Sequence, residues 1–198
     1  MTPTGEARIG PNAILQLVPV LDDDLGVAGR EALLRTAGIE ELPDGSSMIG
    51  ELPIARLHQA MRRQAPDAAR SLARRAGLAT GDYILANRIP GFAQRLLTLM
   101  PGSMSAPLLA RAIEKHAWTF VGSGRFRVVS TSPMVFEIED NPVVKGEQAD
   151  SPVCDWHAAV FERLYRQLVD QNLRVIETRC AAVDGRVCRF EFRREASD

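Results

Sequence analysis

The spacing of apolar residues changes at residues 122–124, and this change limits what the chain can fold into more than any other feature. Residues 53–99 carry apolar side chains at the spacing typical of helices. Residues 126–130 and 134–138 instead alternate from one face to the other, which is typical of strands. A run of helices followed by a run of strands predicts an α+β fold with an antiparallel sheet.

The C-terminal half is predicted to have the order β-β-α-β-β, with the helix packed on one face of the sheet. A turn at residues 132–133 joins the first two strands. The helix is predicted to start at residues 151–152, because Ser suits the cap and Pro the first helical position. The last two strands are residues 173–178 and 187–192, with an Asp-Gly turn signal at residues 184–185.

Capping and breaking residues divide the helical part that precedes the sheet. Thr-Gly-Asp at residues 80–82 predicts a helix start, and Pro-Gly at residues 90–91 predicts a break. Ser105 is predicted to cap another helix, which has Pro107 near its start. We therefore expect several helices packed on the sheet.

The chain is predicted to consist of an N-terminal helical extension, residues 1–50, and a main domain, residues 51–198. Residues 1–10 are expected to be a tail, and two short helices should follow before Gly38, a natural helix stop. The stretch 40–50 contains proline and glycine and is predicted to be the loop that separates the two parts.

Charge and hydropathy exclude several classes of protein. The 24 basic and 25 acidic residues give a net charge of -1, so no overall field attracts nucleic acid. No apolar run approaches the roughly 18 residues of a membrane span, and the first residues lack the pattern of a secretory signal. We therefore expect a cytoplasmic protein whose cysteines are reduced.

Three cysteines fall close together in the C-terminal third of the chain, at Cys154, Cys180 and Cys188. Two flank a predicted turn between strands and one lies at the predicted helix start, so their thiols could converge on one zinc ion, which takes four ligands. His157 is the fourth ligand that geometry favours, since it lies three residues after Cys154. Glu177 would need a bulge or a strand end to turn toward Cys180. Spacing alone is equally compatible with cysteines buried as small apolar side chains.

Two short runs accompany these cysteines, ETRC at residues 177–180 and GRVCRF at residues 185–190. With Cys154 they resemble the 4-vinyl reductase domain family. HAWTFVGSG at residues 116–124 and the IPG break at residues 89–91 are similar to the bacteriochlorophyll-synthesis member of that family.

The resemblance carries implications for the fold and for the metal. It implies a ligand-binding fold shared with NO-signalling sensors and with Golgi-transport subunits. It also implies a zinc ion held by Cys154, Glu177, Cys180 and Cys188, which places Glu177 ahead of His157 as the fourth ligand. A shell of four protein ligands is closed, so such a zinc would be structural.

The resemblance further implies a tetrapyrrole ligand, a magnesium porphyrin or protochlorophyllide type of intermediate, for which the protein would be a carrier or delivery protein. Such a ligand needs a wide apolar slot with a few polar anchors. The candidate contacts are Tyr83, Arg88, Phe92, Arg95, His116, Trp118 and Phe120. Of these, His116 could ligate magnesium and the arginines could pair with carboxylates. Each also has an ordinary interpretation, as a core, capping or solvent-exposed residue.

Whether the chain is an enzyme stays open at this point, because the family name itself implies reduction of a vinyl group. The chain has no G-x-G-x-x-G after a strand, and three cysteines are one short of an all-thiolate iron–sulfur cluster. These observations favour a carrier over a vinyl reductase or its accessory subunit, and a sensor of small aromatic molecules is a further alternative. Expected partners are other bacteriochlorophyll-synthesis enzymes, at the periphery of the photosynthetic membrane, and a homodimer is also open.

Overall fold

The N-terminal part packs onto the rest of the chain from its first described residues. The computed structural model describes residues 7–195. Strand β1 (Arg8–Ile9) pairs antiparallel with β2 (Ile49–Gly50), and between them lie α1 (Asn12–Leu15) and α2 (Val18–Ala37). The prediction of a tail is therefore wrong for β1, while residues 1–6 and 196–198 lie outside the described residues.

The two predicted N-terminal helices are joined differently from the prediction. Helix α2 runs through the predicted cap at residues 22–24, and its break lies at Gly26, whose φ of 71° and ψ of 168° are not helical. The helix ends as predicted at Gly38, in the left-handed conformation with φ 74°. Gly26 is a weaker sequence signal than the aspartates, yet its backbone is the one that turns.

Five helices follow β2 and form a layer beside the sheet. They are α3 (Glu51–Gln64), α4 (Pro66–Asn87), α5 (Gly91–Leu99), α6 (Gly102–Lys115) and α7 (Trp118–Val121). The predicted break at residues 90–91 is confirmed. The predicted start at residues 80–82 is wrong, because those residues lie inside α4 and the Thr80 hydroxyl donates a hydrogen bond to Ala76 O at 2.8 Å. Ser105 lies one turn inside α6 and is buried there.

The remaining elements form the predicted β-β-α-β-β unit. These are β3 (Arg125–Thr131), β4 (Met134–Glu139), a 3-10 turn (Pro142–Val144), α8 (Asp155–Leu168), β5 (Leu173–Arg179), α9 (Ala181–Asp184) and β6 (Val187–Arg194). The sheet has the order β3-β4-β6-β5, with every neighbouring pair antiparallel. The α+β fold class is therefore confirmed.

Two local predictions in this unit need correction. Helix α8 begins at Asp155 rather than at residues 151–152, so Cys154 occupies the position just before the helix and not its first turn. The short helix α9 precedes Gly185, so the last two strands are joined by a helical turn rather than by a two-residue hairpin. Both differences lie at the cysteines.

Aromatic side chains between α8 and the sheet form the centre of the core. They are Phe126, Phe136, Phe161, Tyr165, Phe190 and Phe192. The ring of Phe136 lies edge-on to its neighbours, with centroids 4.8–5.9 Å apart. Edge-to-face pairs of this kind add about 0.5–1.5 kcal/mol beyond the area they bury.

The N-terminal helices contribute to the same core. Leu17 and Leu21 of this region are fully buried, and Leu33 is 1% exposed. The division of the chain at residue 50 stays a prediction. No helix among residues 7–195 is long and apolar enough to cross a membrane.

Candidate metal centre

The three cysteines and Glu177 meet at one end of the sheet, where α8 begins. Cys154 immediately precedes α8, Cys180 lies between β5 and α9, and Cys188 is the second residue of β6. The pairing of β5 with β6 shifts between Glu177 and Arg179, which is the irregularity that Glu177 needs in order to turn toward Cys180. One sulfur or oxygen atom from each of the four side chains lies within 4.8 Å of the others.

The spacing of the thiols suits a tetrahedral thiolate site. The Sγ atom of Cys154 lies 3.9 Å from that of Cys180 and 3.3 Å from that of Cys188, and the Cys180 and Cys188 sulfurs are 3.9 Å apart. Three thiolates at about 2.3 Å from one zinc ion at tetrahedral angles would be about 3.8 Å apart. The sulfurs are too far apart for a disulfide, and all three cysteines are free and buried.

Glu177 has one carboxylate oxygen to offer to such an ion. Its Oε2 accepts a hydrogen bond from the backbone N–H of Cys154 at 2.7 Å, which orients the carboxylate. Its Oε1 is buried and has no hydrogen-bond partner within residues 7–195. A buried oxygen without a partner is costly, and a metal ion would satisfy it.

His157, the alternative fourth ligand, points elsewhere. Its Nδ1 lies 3.4 Å from Asn141 Nδ2, and its ring packs against Trp156 with centroids 4.7 Å apart. His157 is not in the group of atoms that could hold the ion. The geometry thus favours Glu177, because Cys154 precedes the helix and the three-residue spacing no longer brings His157 to its side.

Asn141 is a residue of this site that the sequence analysis missed. Its buried side chain is 3.4 Å from Cys154 Sγ, to which Nδ2 donates, and its Oδ1 accepts from the N–H of Val143 at 3.1 Å. A donor to a sulfur stabilises the thiolate and fixes its position. The signal available in the sequence is the Asn-Pro pair soon after β4, a favoured turn start.

The electrostatics of the cluster call for a cation. Burial raises the pKa of the Cys154 thiol well above its usual range, and burial with the neighbouring Cys180 raises the pKa of Glu177 to about 8. The pKa of Cys180 is lowered, chiefly by hydrogen bonds from Cys154 and Cys188. Four acidic groups cannot all ionise together in so small a volume without an ion between them. The cluster could therefore hold a metal ion.

The seven candidate pigment contacts fall into two groups in the structure. Near the α4–α5 junction, Tyr83 is half-buried with the Arg88 guanidinium 5.8 Å from its ring centroid, while Phe92 and Arg95 are exposed. At the end of α6, His116 and Trp118 are exposed, and His116 Nδ1 lies 2.8 Å from Ala112 O.

The seventh candidate, Phe120, belongs to the aromatic core. It lies edge-on to Phe126 and Phe161, with ring centroids 5.6 and 5.9 Å away. Two surface depressions of about 250 and 410 Å³ lie at residues 14–53 and 30–42, and none of the seven candidates lines either one. A pigment at the candidates would therefore lie against the helices rather than in those depressions.

Solved structures of low sequence identity share this fold. An H-NOX protein from S. oneidensis in the Fe(II)NO ligation state aligns with a TM-score of 0.57 at 8% identity, over 95% of this chain and all 100% of that one. An unliganded Fe(II) H-NOX mutant from K. algicida aligns with a TM-score of 0.58 at 12% identity, over 95% and 97% of the two chains. The chain is thus an α+β protein of the H-NOX type of fold, as the likeness to NO-signalling sensors implied.

The relatives of higher identity define the family. The family model of the 4-vinyl reductase domain matches residues 134–194, which contain all four members of the cluster. The bacteriochlorophyll synthase 23 kDa chain of Cereibacter sphaeroides is 53% identical over 93% of this chain and 90% of its own length. The chain of the same name from Rhodobacter capsulatus is 54% identical over 93% and 86%. The chain belongs to the bacteriochlorophyll synthase 23 kDa chain family, and the resemblance to 4-vinyl reductase domains is confirmed.

Proposed function

We propose that this protein binds a magnesium tetrapyrrole intermediate of bacteriochlorophyll synthesis and delivers it between enzymes of the pathway. We further propose that the cluster of Cys154, Glu177, Cys180 and Cys188 holds a structural zinc ion. The observation that carries the pathway is the 53% identity, over nearly the whole chain, to a protein named as a bacteriochlorophyll synthase chain.

The choice of zinc rests on the ligand set. Three thiols with one carboxylate oxygen form a closed shell of soft and borderline donors, which suits zinc better than magnesium or calcium. The three sulfur separations of 3.3–3.9 Å are close to those of a tetrahedral site. When bound, the ion would stabilise the thiolates and join β5, β6 and the start of α8, so its binding energy would contribute to folding.

The choice of a tetrapyrrole rests on the family and is supported by the fold. One solved neighbour, with a TM-score of 0.53, carries a title on heme redox potential and porphyrin distortion, so a protein of this fold accommodates a porphyrin. In this chain, His116 and Trp118 are exposed close together at the end of α6. A neutral imidazole can ligate a metal ion, and an indole face can stack on a macrocycle.

A carrier is favoured over a vinyl reductase by the character of the metal cluster. A zinc ion does not change its redox state, and four protein ligands leave it no open position for a substrate. Hydride or electron transfer would need a cofactor such as a flavin or a nicotinamide. The proposed role is therefore to bind and deliver the pigment, with the other pathway enzymes as partners at the edge of the photosynthetic membrane.

The zinc proposal is tested by metal analysis of the purified protein and of its Glu177→Gln and Cys180→Ser variants. We expect one zinc per wild-type chain, and lower zinc content with lower stability in both variants, because each removes one ligand. Glu191→Gln, on the neighbouring strand and outside the cluster, is the control and should keep its zinc. Metal-free wild-type protein of unchanged stability would contradict the proposal.

The pigment site is tested by absorption titration with a magnesium porphyrin. His116→Ala should lower the affinity by about tenfold or more if its nitrogen ligates the magnesium, and Trp118→Ala should lower it through lost stacking. Val183→Ala, an exposed apolar residue of α9, is the matched control. Unchanged affinity in the His116 variant would remove His116 from the site.

A further inference from the structure

Helix α5 presents an apolar stripe to solvent. None of its nine residues is buried, and Phe92, Leu96 and Leu99 are 76%, 58% and 86% exposed. Their spacing of four and three residues puts them on one side of the helix. Leu97, on the opposite side, packs against the core. The stripe therefore points away from the protein and is not the half of the helix that stabilises the fold.

Helix α6 continues this apolar surface and ends it with positive charge. Met104 and Leu108 are exposed, and Arg111 and Lys115 follow at helical spacing on the same side. The opposite side of α6 is buried, for example at Ile113. We call the exposed apolar residues the α5–α6 face, which is defined by Phe92, Leu96, Leu99, Met104 and Leu108.

The charge around the α5–α6 face differs from that of the whole protein. Between residues 88 and 116 the chain has four basic residues and one acidic residue, whereas the full chain has 24 basic and 25 acidic residues. The basic residues Arg88, Arg95, Arg111 and Lys115 are all exposed. Exposed aromatic and aliphatic side chains beside arginine and lysine are typical of helices that lie in the interface of an anionic bilayer.

We propose that the α5–α6 face docks the protein onto a lipid bilayer with anionic headgroups. The apolar side chains enter the boundary between headgroups and acyl chains, and the four basic side chains contact the phosphates. A second copy of the chain is a poorer occupant, because a symmetric contact would bring eight basic side chains together with two acidic ones. The inference rests on the peripheral membrane location proposed above and identifies the surface responsible for it.

Vesicle flotation tests this surface directly. Wild-type protein should bind phosphatidylcholine vesicles that contain phosphatidylglycerol, and bind more weakly to phosphatidylcholine alone. The double variant Leu96→Ser/Leu99→Ser should lower the partition coefficient by about tenfold per leucine, because each loses the transfer of its side chain from water. Leu42→Ser, which changes a leucine 40% exposed outside the face, should leave binding unchanged.

A charge variant separates the two contributions. Arg111→Glu/Lys115→Glu should weaken binding to the anionic vesicles and remove its dependence on salt, while binding to phosphatidylcholine alone stays the same. Wild-type protein that ignores both kinds of vesicle would overturn the inference. So would a double leucine variant that binds as well as wild type, or one that only dissolves a dimer.

Pigment titration in vesicle-free buffer keeps this inference distinct from the proposed function. The Leu96→Ser/Leu99→Ser variant should keep its affinity for a magnesium porphyrin, because Phe92 and the other candidate contacts are untouched. Loss of both activities would overturn the idea of a separate lipid surface. Wild-type protein that binds vesicles but no porphyrin would retain the docking surface and overturn the carrier function.

Discussion

Glu177 shows how one backbone irregularity decides the composition of the metal cluster. A regular strand would turn Glu177 and Cys180 to opposite faces, and the shift in pairing after Glu177 removes that obstacle. Cys154 could not be matched to His157 by helical spacing, because the helix begins one residue later. The sequence contained the right residues, but neither the bulge nor the helix start was visible in it.

His58 is a buried residue with a measurable effect on stability. It is fully buried, neither ring nitrogen has a hydrogen-bond partner within residues 7–195, and burial lowers its pKa from 6.5 to about 3. The positive charge of Arg62 and the neighbouring His157 lower this pKa further. The folded state therefore holds a neutral imidazole at a pH where the unfolded chain is protonated.

We predict that His58 makes the protein sensitive to acid. Between pH 6.5 and about 3 the unfolded state binds one more proton at this residue, so stability falls as the pH falls through this window. His58→Leu removes this proton, and by pH 5 it should gain roughly 2 kcal/mol relative to wild type compared with the difference at pH 7.5. Urea unfolding across this pH range measures the effect, and a difference independent of pH would contradict it.

At the scale of elements, the contact between α4 and α8 sets the distance between the helical layer and the sheet. Gly77 and Gly81 of α4 face α8, where an added Cβ at Gly77 would lie 2.3 Å from Trp156 O. An added Cβ at Gly81 would lie 2.6 Å from Arg163 Cβ. The Thr-Gly pair at residues 80–81 looks like a helix start in the sequence, but its glycine serves close packing.

We predict that Gly77→Ala destabilises the protein despite alanine's higher helix propensity. The propensity gain of about 1 kcal/mol is smaller than the cost of pushing backbone away from backbone, so a net loss of about 1–3 kcal/mol is expected. Gly91→Ala, where a Cβ meets nothing within 4 Å, is the matched control and should be close to neutral. Equal stability of wild type and Gly77→Ala in urea would mean that α4 and α8 separate easily.

The local order of elements in the C-terminal half was predictable, whereas distant pairings were not. The change of apolar spacing at residues 122–124 predicted the sheet, because alternation is a property of neighbouring residues. Pairing of β1 with β2 depends on chain segments far apart in sequence, and two-residue strands leave no periodic signal. The same applies to Phe120, whose place in the aromatic core is set by α8 and β3 rather than by its own helix.

At the scale of the whole molecule, the proposed zinc cluster and the proposed pigment contacts lie on different elements. The cluster joins β5, β6 and the start of α8, while His116 and Trp118 lie at the end of α6 and the start of α7. A structural ion and a separate ligand surface fit a protein that holds its pigment without changing it. This arrangement makes binding without turnover the central claim about the molecule.

The most direct test of that claim is to add a vinyl-bearing magnesium tetrapyrrole to the purified, zinc-loaded protein, without and then with reductant, and to follow absorption and the extracted pigment. The account predicts a shifted pigment band that saturates at one pigment per chain, with the vinyl group intact after reductant is added. Reductant-dependent loss of the vinyl group, or a flavin or iron–sulfur spectrum in the protein itself, would contradict it and identify a reductase.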